Sequence, residues 1–461
     1  MSKILLKNCF HLVTMNDRRE RLSNVDLLIT NNRIENIAKN IQISKGQKID
    51  CSTKLVIPGL VNSHHHLFQT LTRNLPEVQN KPLFNWLITL YDIWKFFNEE
   101  GVYYSTLLGC GELLKTGCTT TTDHHYLYPK NLHADIPAIQ FEAASELGIR
   151  FYPTRGSMSR SQKDGGIPPD NVVQNEELIL KHSEEVIQRF HDPSPLSMRQ
   201  IHLGPCAPFN VTPELMKETA NLARKYGVRL HTHLAETKDE DEYCQQVYGK
   251  RPLQLMEDLE WLGEDVWYAH GVHFNDEELS LLAQTRTGVA HCPASNMRLG
   301  SGIARIPEML KLGIPVGLAV DGSASNDSSD MVGEMRQALL LHRVISGADA
   351  ITAEQVLELA TIGSARLLGK NDIGSLEIGN AADIAIFELN KLEFTGTLSD
   401  PLAALIFSGI NHEVNTTIVN GKIVVKDSKL VHVDEDEIVE NGNRISKTML
   451  KKAVDEKQSN K

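Results

Sequence analysis

A chain of 461 residues with 41% hydrophobic content is long enough to bury a large core, and its formal charge of −12 argues against a nucleic-acid backbone as main partner, because phosphate binding needs a basic surface. The seven cysteines (Cys9, Cys51, Cys110, Cys118, Cys206, Cys244 and Cys292) are dispersed and form no C-x-x-C pair, which argues against a zinc knuckle or redox motif and for reduced, mostly buried thiols. The first twenty residues show no basic region followed by an apolar core, and no run approaches the ~18 apolar residues of a membrane span. The expectation is a soluble, cytoplasmic protein with no membrane partner.

Taken in chain order, residues 1–57 alternate short apolar runs with turn signals. Runs 4–6, 10–15, 25–30, 33–37 and 55–57 fit short strands. The middle, residues 58–370, alternates strand and helix. The candidate strands are 60–63, 119–123, 150–154, 199–204, 229–233, 266–270, 288–291 and 316–320, with helices expected over 101–115, 136–147, 175–190, 213–226 and 276–284. Thr212 followed by Pro213 is an N-cap and first-turn pair. Eight β-then-α units in one stretch predict an α/β fold, a (β/α)8 TIM barrel, closed by a helix over 352–368. Strand texture returns at 383–387 and 416–425, the latter interrupted by the hairpin signal Asn420-Gly421. A small composite β-sandwich domain from residues 1–57 plus 375–433 is therefore expected beside the barrel, with 434–461 a solvated helical tail that frays at its end.

Four polar clusters each follow an apolar run, at the ends of strands that converge on one mouth in a parallel barrel. His64 and His66 lie two apart, so both face the mouth while His65 turns away. In Leu230-His231-Thr232-His233-Leu234-Ala235-Glu236, His233 is the better ligand and His231 a hydrogen-bonded core histidine one layer deeper. His270 ends a sixth strand, with His273 shaping its loop, and Asp321 ends the eighth. Three imidazoles from His64, His66 and His233 with the carboxylate of Asp321 suit one divalent metal per subunit, zinc or iron, with a position left for water. Asp321 would accept a proton from that water, Glu236 would carry one to a leaving nitrogen, and His270 would orient the attacked group. A Gly-x-Ser-x-Gly elbow, a dinucleotide fingerprint and a P-loop are all absent. The reaction that follows is hydrolytic displacement at an sp² carbon, and an inert barrel would have no need of all six residues.

These residues, with Pro58-Gly59-Leu60-Val61-Asn62, His291-Cys292-Pro293-Ala294-Ser295-Asn296 and Asp321-Gly322-Ser323-Ala324-Ser325-Asn326, resemble the amidohydrolase superfamily, in its cytosine/guanine deaminase-like and chlorohydrolase-like branch, over nearly the whole chain. The resemblance implies zinc, sometimes iron, on residues 64, 66, 233 and 321, and a small heterocyclic substrate in a homo-oligomer. Many adenosyl-type deaminases of that branch have a histidine where this chain has Cys206, and a glutamate in the loop after the first strand, where 82–87 offers no carboxylate. That favours a flat base without sugar, and the resemblance, carried further by residues 62–73, 155–159, 164–170 and 331–334, implies a free purine base, 8-oxoguanine, with guanine, isocytosine or a hydroxy-s-triazine as alternatives. Gln69 and Trp86 either contact the base or pack, and Cys206 joins them as a substrate-side residue. Arg155–Asp170 is expected as a polar loop at the mouth.

Overall fold

The computed structural model describes residues 2–133, 135–408 and 411–459. Its centre is a parallel barrel. The first strand, Leu60–Asn62, pairs with Cys118–Thr121, and that with Arg150–Phe151. The second and third strands resume at His124–His125 and Thr154–Ser157, and pairing then runs through His202–Pro205, Leu230–Leu234, Val266–His270, Gly288–His291 and Val316–Leu318. The sequence expectation of one continuous third strand over 150–154 is corrected by Pro153, which has no N–H to donate and sits at the break. Closure joins the last strand to the first: Ser63 donates its backbone N–H (3.3 Å) and hydroxyl (3.0 Å) to the Leu318 carbonyl, and Asp321 N–H donates to His64 O at 3.2 Å. The buried Asn62 amide ties the same seam, donating to Thr121 Oγ1 and accepting the Val320 N–H, both at 3.0 Å. This closure sets Asp321 directly beside His64.

Alternation along each strand separates chemistry from packing. In Leu230–Leu234 the two histidines point to the axis, while Leu230 and Leu234 join the buried layer of Leu215, Met216, Leu253 and Val266 beneath the helices. Helix starts follow their caps: Thr212 Oγ1 accepts the Leu215 N–H, and Asn275 with Glu278 forms a complete capping box. The closing helix is not continuous. Ala353–Glu358 widens into a π-turn at Leu359–Gly363 before Ser364–Leu367. A Cβ on Gly363 would stand 2.4 Å from the Val316 carbonyl, so the bulge and the glycine together let this helix pack directly on the eighth strand.

Both ends of the chain build two further sheets. One orders Arg33–Ala38, Val25–Thr30, Lys3–Cys9 and Gln47–Asp50; the other runs from Lys429–Leu430 through Lys422–Lys426, Thr416–Val419, Ile384–Glu388 and Lys54–Pro58 to His11–Val13 and Arg21–Leu22. They enclose Leu6, Leu27, Ile29, Val56, Ile384 and Ile418. Strand Lys54–Pro58 enters the first barrel strand through Gly59, where a Cβ would fall 2.1 Å from Thr119 Oγ1. Arg150 and Asp383, both fully buried, clamp sheet to barrel through bonds of 3.0 and 3.1 Å.

The chain from 434 onward is helical, as expected, but one face of the helix is packed on the barrel side rather than solvated. Helix Glu435–Ser459 lies along Leu83–Trp94 and Glu99–Lys115, burying Ile438, Ile445, Met449 and Ala453 and pairing Lys115 with Glu435 at 2.8 Å. With the buried Gly442 these residues recur every three or four positions, a stripe that the surrounding charge conceals. Residues 460–461 of that segment lie outside the described residues.

Candidate active site

Three histidines and a carboxylate meet at the C-terminal mouth of the barrel. His66 Nε2 lies 2.9 Å from His233 Nε2, and Asp321 Oδ1 is 3.4 Å from both His64 Nε2 and His66 Nε2. The far side of each ring decides its protonation. His66 Nδ1 donates to the His124 carbonyl (2.8 Å) and His233 Nδ1 to the Cys206 carbonyl (2.6 Å). His231 Nδ1 donates to the Trp267 carbonyl (2.9 Å), so its Nε2 must accept from His64 Nδ1 at 2.7 Å. All three Nε2 atoms are therefore left with lone pairs pointing inward, the tautomer that a metal ligand requires. Burial holds His64 and His233 well below the usual imidazole range and lowers His66, so the rings are neutral. Two lone pairs facing at 2.9 Å repel unless a cation lies against them, and the buried His64 Nε2 has no other hydrogen-bond partner. The donor set fits a divalent cation.

Beside this cluster, His270 Nδ1 donates to Asn296 Oδ1 at 2.9 Å, leaving Nε2 3.5 Å from Glu236 Oε2 and 4.0 Å from Asp321 Oδ2. Burial pushes the Glu236 carboxyl up to about 7, with His270 opposing and Asp321 assisting. Asp321 accepts the Gly322 N–H (2.6 Å) and the Ser325 hydroxyl (3.3 Å). Ala235, His270 and Asp321 all have left-handed backbone, φ +53°, +73° and +63°. Strand ends that turn this way are strained for side-chain-bearing residues, and such strain concentrates at working sites.

A narrow pocket opens over these groups. Trp86, Tyr126 and Phe209 form apolar walls, and Gln69, Cys206 and Asn210 add uncharged polar groups; Glu236 and Asp321 are the only carboxylates among its described lining residues, and no Lys or Arg lines it. Gln69 Oε1, Trp86 Nε1 and Asn210 Oδ1 are buried without a hydrogen-bond partner. Gln69 lies across Gly322, where a Cβ would come 2.0 Å from its Oε1. Asn210 Nδ2 donates to Cys206 Sγ at 3.3 Å, and burial pushes that thiol up to about 12, so it stays protonated.

All nine residues singled out from the sequence (His64, His66, Gln69, Trp86, Cys206, His233, Glu236, His270 and Asp321) thus lie in one cluster. Trp86 comes from the helix Leu83–Trp94, not from a loop over 82–87. The segment Arg155–Asp170 does not line the cavity; Ser159 and Arg160 N–H instead hold the Asn210 carbonyl, each at 3.0 Å. His65 turns out to Ser329 Oγ (3.0 Å) and His273 to the Ser301 carbonyl (2.9 Å). Sequence reasoning missed His124, whose ring stacks on His233 at 4.9 Å and 18°, donates through Nε2 to Gly204 O, and groups with His64 and His233 at metal-ligand separations. Its place after the Thr-rich second strand was the available signal. Asn210 and Asn296 had none beyond proximity to motifs.

A closed parallel barrel with neutral, inward-facing imidazoles and a carboxylate at its C-terminal mouth defines a metal-dependent hydrolase. The chain belongs to the amidohydrolase family, which it matches over residues 55–424, and it is a hydrolase acting on carbon–nitrogen bonds. It is 48% identical over 387 residues to the 8-oxoguanine deaminase of Pseudomonas aeruginosa, covering 84% of this chain and 86% of that one. It is 34% identical to the hydroxydechloroatrazine ethylaminohydrolase of Pseudomonas sp. (strain ADP), covering 98% and 96%. The crystal structure of atrazine chlorohydrolase from Arthrobacter aurescens TC1, complexed with zinc, superposes with a TM-score of 0.92 at 33% identity over 96% of this chain and 100% of that one.

Proposed function

We propose that this protein is a hydrolytic deaminase of a free purine base, converting 8-oxoguanine and water to urate and ammonia. The observation that carries the reading is the cavity wall: flat aromatic faces and unpartnered neutral hydrogen-bonding atoms, with no further carboxylate for a ribose diol and no cation for a phosphate. Similarity to an 8-oxoguanine deaminase supports the same base. His64, His66, His233 and Asp321 would hold one divalent cation, zinc in keeping with the zinc-complexed relative. When bound, such a cation supplies Lewis acidity that makes water a nucleophile at neutral pH.

The remaining work falls to side chains. Glu236 takes a proton as water adds to C2 and delivers it to the ring nitrogen beside that carbon. The second proton of that water, accepted from the added oxygen by Asp321, passes to the amine, so that C–N breaks, C=O forms and ammonia departs. A carboxyl raised to about 7 by burial is poised for both directions of transfer. His270, fixed by Asn296, presents Nε2 to Glu236 and to the attacked carbon's substituents. Gln69, Trp86 and Asn210 meet the polar edges of the base, because a buried unpaired donor or acceptor costs about 1–3 kcal/mol until it is matched.

The test is a substrate series of 8-oxoguanine, guanine, isocytosine and a hydroxy-s-triazine, read as ammonia release by zinc-loaded protein. The reading requires 8-oxoguanine to show a kcat/KM in the usual range of about 10⁴–10⁸ M⁻¹s⁻¹ and to exceed the others. Preference for the triazine would move the substrate and leave the machinery.

A further inference from the structure

Strand Leu230–Leu234 cannot deliver Glu236 to the pocket by continuing straight, since Glu236 lies two residues past its end. The chain instead reverses at Ala235, in the left-handed region at φ +53°. Three contacts hold that turn. Gly271 N–H donates to the Leu234 carbonyl (3.2 Å) and His273 N–H to the Ala235 carbonyl (3.0 Å), stitching it to the turn that carries His270. The third comes from Glu240, in the first turn of the helix Lys238–Tyr248. Its Oε2 accepts the Glu236 N–H at 2.9 Å. The side chain is 1% exposed, and its Oε1 is buried with no partner. A carboxyl buried at such cost beside a second carboxyl serves no packing purpose that a leucine would not serve better.

We infer that Glu240 is a positioning residue for Glu236: its carboxyl holds the Glu236 amide just past the Ala235 turn and so fixes the Glu236 carboxyl against His270. This rests on the proton-transfer role proposed for Glu236. Glu240 is not among the pocket's lining residues and acts through another residue. Burial also pushes its carboxyl up to about 8, so at neutral pH it is largely a neutral acceptor, which an amide imitates.

The experiment is a cycle of Glu240→Ala, Glu236→Gln and the double variant in the zinc-loaded enzyme, assayed with whichever base it turns over best. Metal per subunit and Tm are measured alongside. Misplacing a catalytic group by about 1 Å costs up to roughly 100-fold, so Glu240→Ala should lower kcat by about 10- to 100-fold with KM and metal content little changed. In the Glu236→Gln background the same change should cost almost nothing further, because its only target is gone. Glu240→Gln should restore most of kcat. Should Glu240→Ala fail to fold, Glu240→Asp withdraws the carboxyl by about 1.5 Å and should give the same kcat-selective loss. Wild-type kcat in the Ala or Asp variant, or losses that multiply fully in the double variant, overturns the inference. Glu236→Gln with full activity overturns the role of Glu236 itself, a separate failure.

Discussion

Replacing His231 by Phe probes how the ligand cluster is held. Phe keeps a flat ring against Trp267, on which His231 stacks at 4.3 Å and 9°, but removes both nitrogens. His64 Nδ1 then loses the acceptor 2.7 Å away in a fully buried position. Leaving a buried donor unsatisfied costs about 1–3 kcal/mol. The metal-free variant escapes that cost by moving the proton to Nε2, where binding a cation must displace it, so the cost reappears as lost affinity. At about 1.4 kcal/mol per decade, zinc binding should weaken by roughly 5- to 150-fold, which overlaps the ~10–100-fold typical of residues that orient metal ligands. Competition against a chelator of known affinity measures it, and saturating zinc should restore most of kcat. Unchanged zinc affinity, or a kcat loss that excess zinc does not repair, would refute the tautomer argument.

Other outcomes follow from the same geometry. Glu236→Gln should lower kcat by about 10²–10⁴-fold while zinc content stays at the wild-type level. Because Glu236 must accept a proton first, wild-type kcat/KM should fall as pH drops through the carboxyl's value, about 7 from burial and lower with a cation beside it; this acid limb should vanish in the Gln variant. Arg150→Ala leaves Asp383 charged and buried, so stability in denaturant should drop by about 3–5 kcal/mol, whereas Arg150→Met with Asp383→Leu should recover most of it. Ile445→Ala, in the helix that backs Leu83–Trp94, should cost about 2–5 kcal/mol and raise KM more than it lowers kcat, since that helix carries Trp86.

The parts legible in the sequence were those set by strand periodicity. His64, His66, His233, His270 and Asp321 announce themselves because each ends an apolar run, and a parallel barrel gathers such ends. The same rule put His231 one layer deeper, where it meets His64. What stayed hidden depends on contacts between segments distant in sequence. The carbonyls of His124 and Cys206 that fix two ligand tautomers carry no residue preference at all, since any backbone supplies a carbonyl. Asn210 reaches the pocket because the segment after the third strand grips its backbone, a pairing no spacing encodes. Trp86 was misplaced for a different reason: Leu83, Leu87, Leu90 and Trp94 do keep helical spacing, but Pro82 at the head of the run reads equally as a loop.

If water placed beside this histidine–aspartate cluster replaces the amine of a free oxidised purine, the product must carry a solvent oxygen. Turnover of 8-oxoguanine in oxygen-18-labelled water, with ammonia and product mass followed together, tests it most directly. Urate should carry one solvent oxygen for each ammonia released, with turnover abolished by chelation and restored by zinc. Absence of ammonia with the cation bound, or a product free of the label, would contradict it.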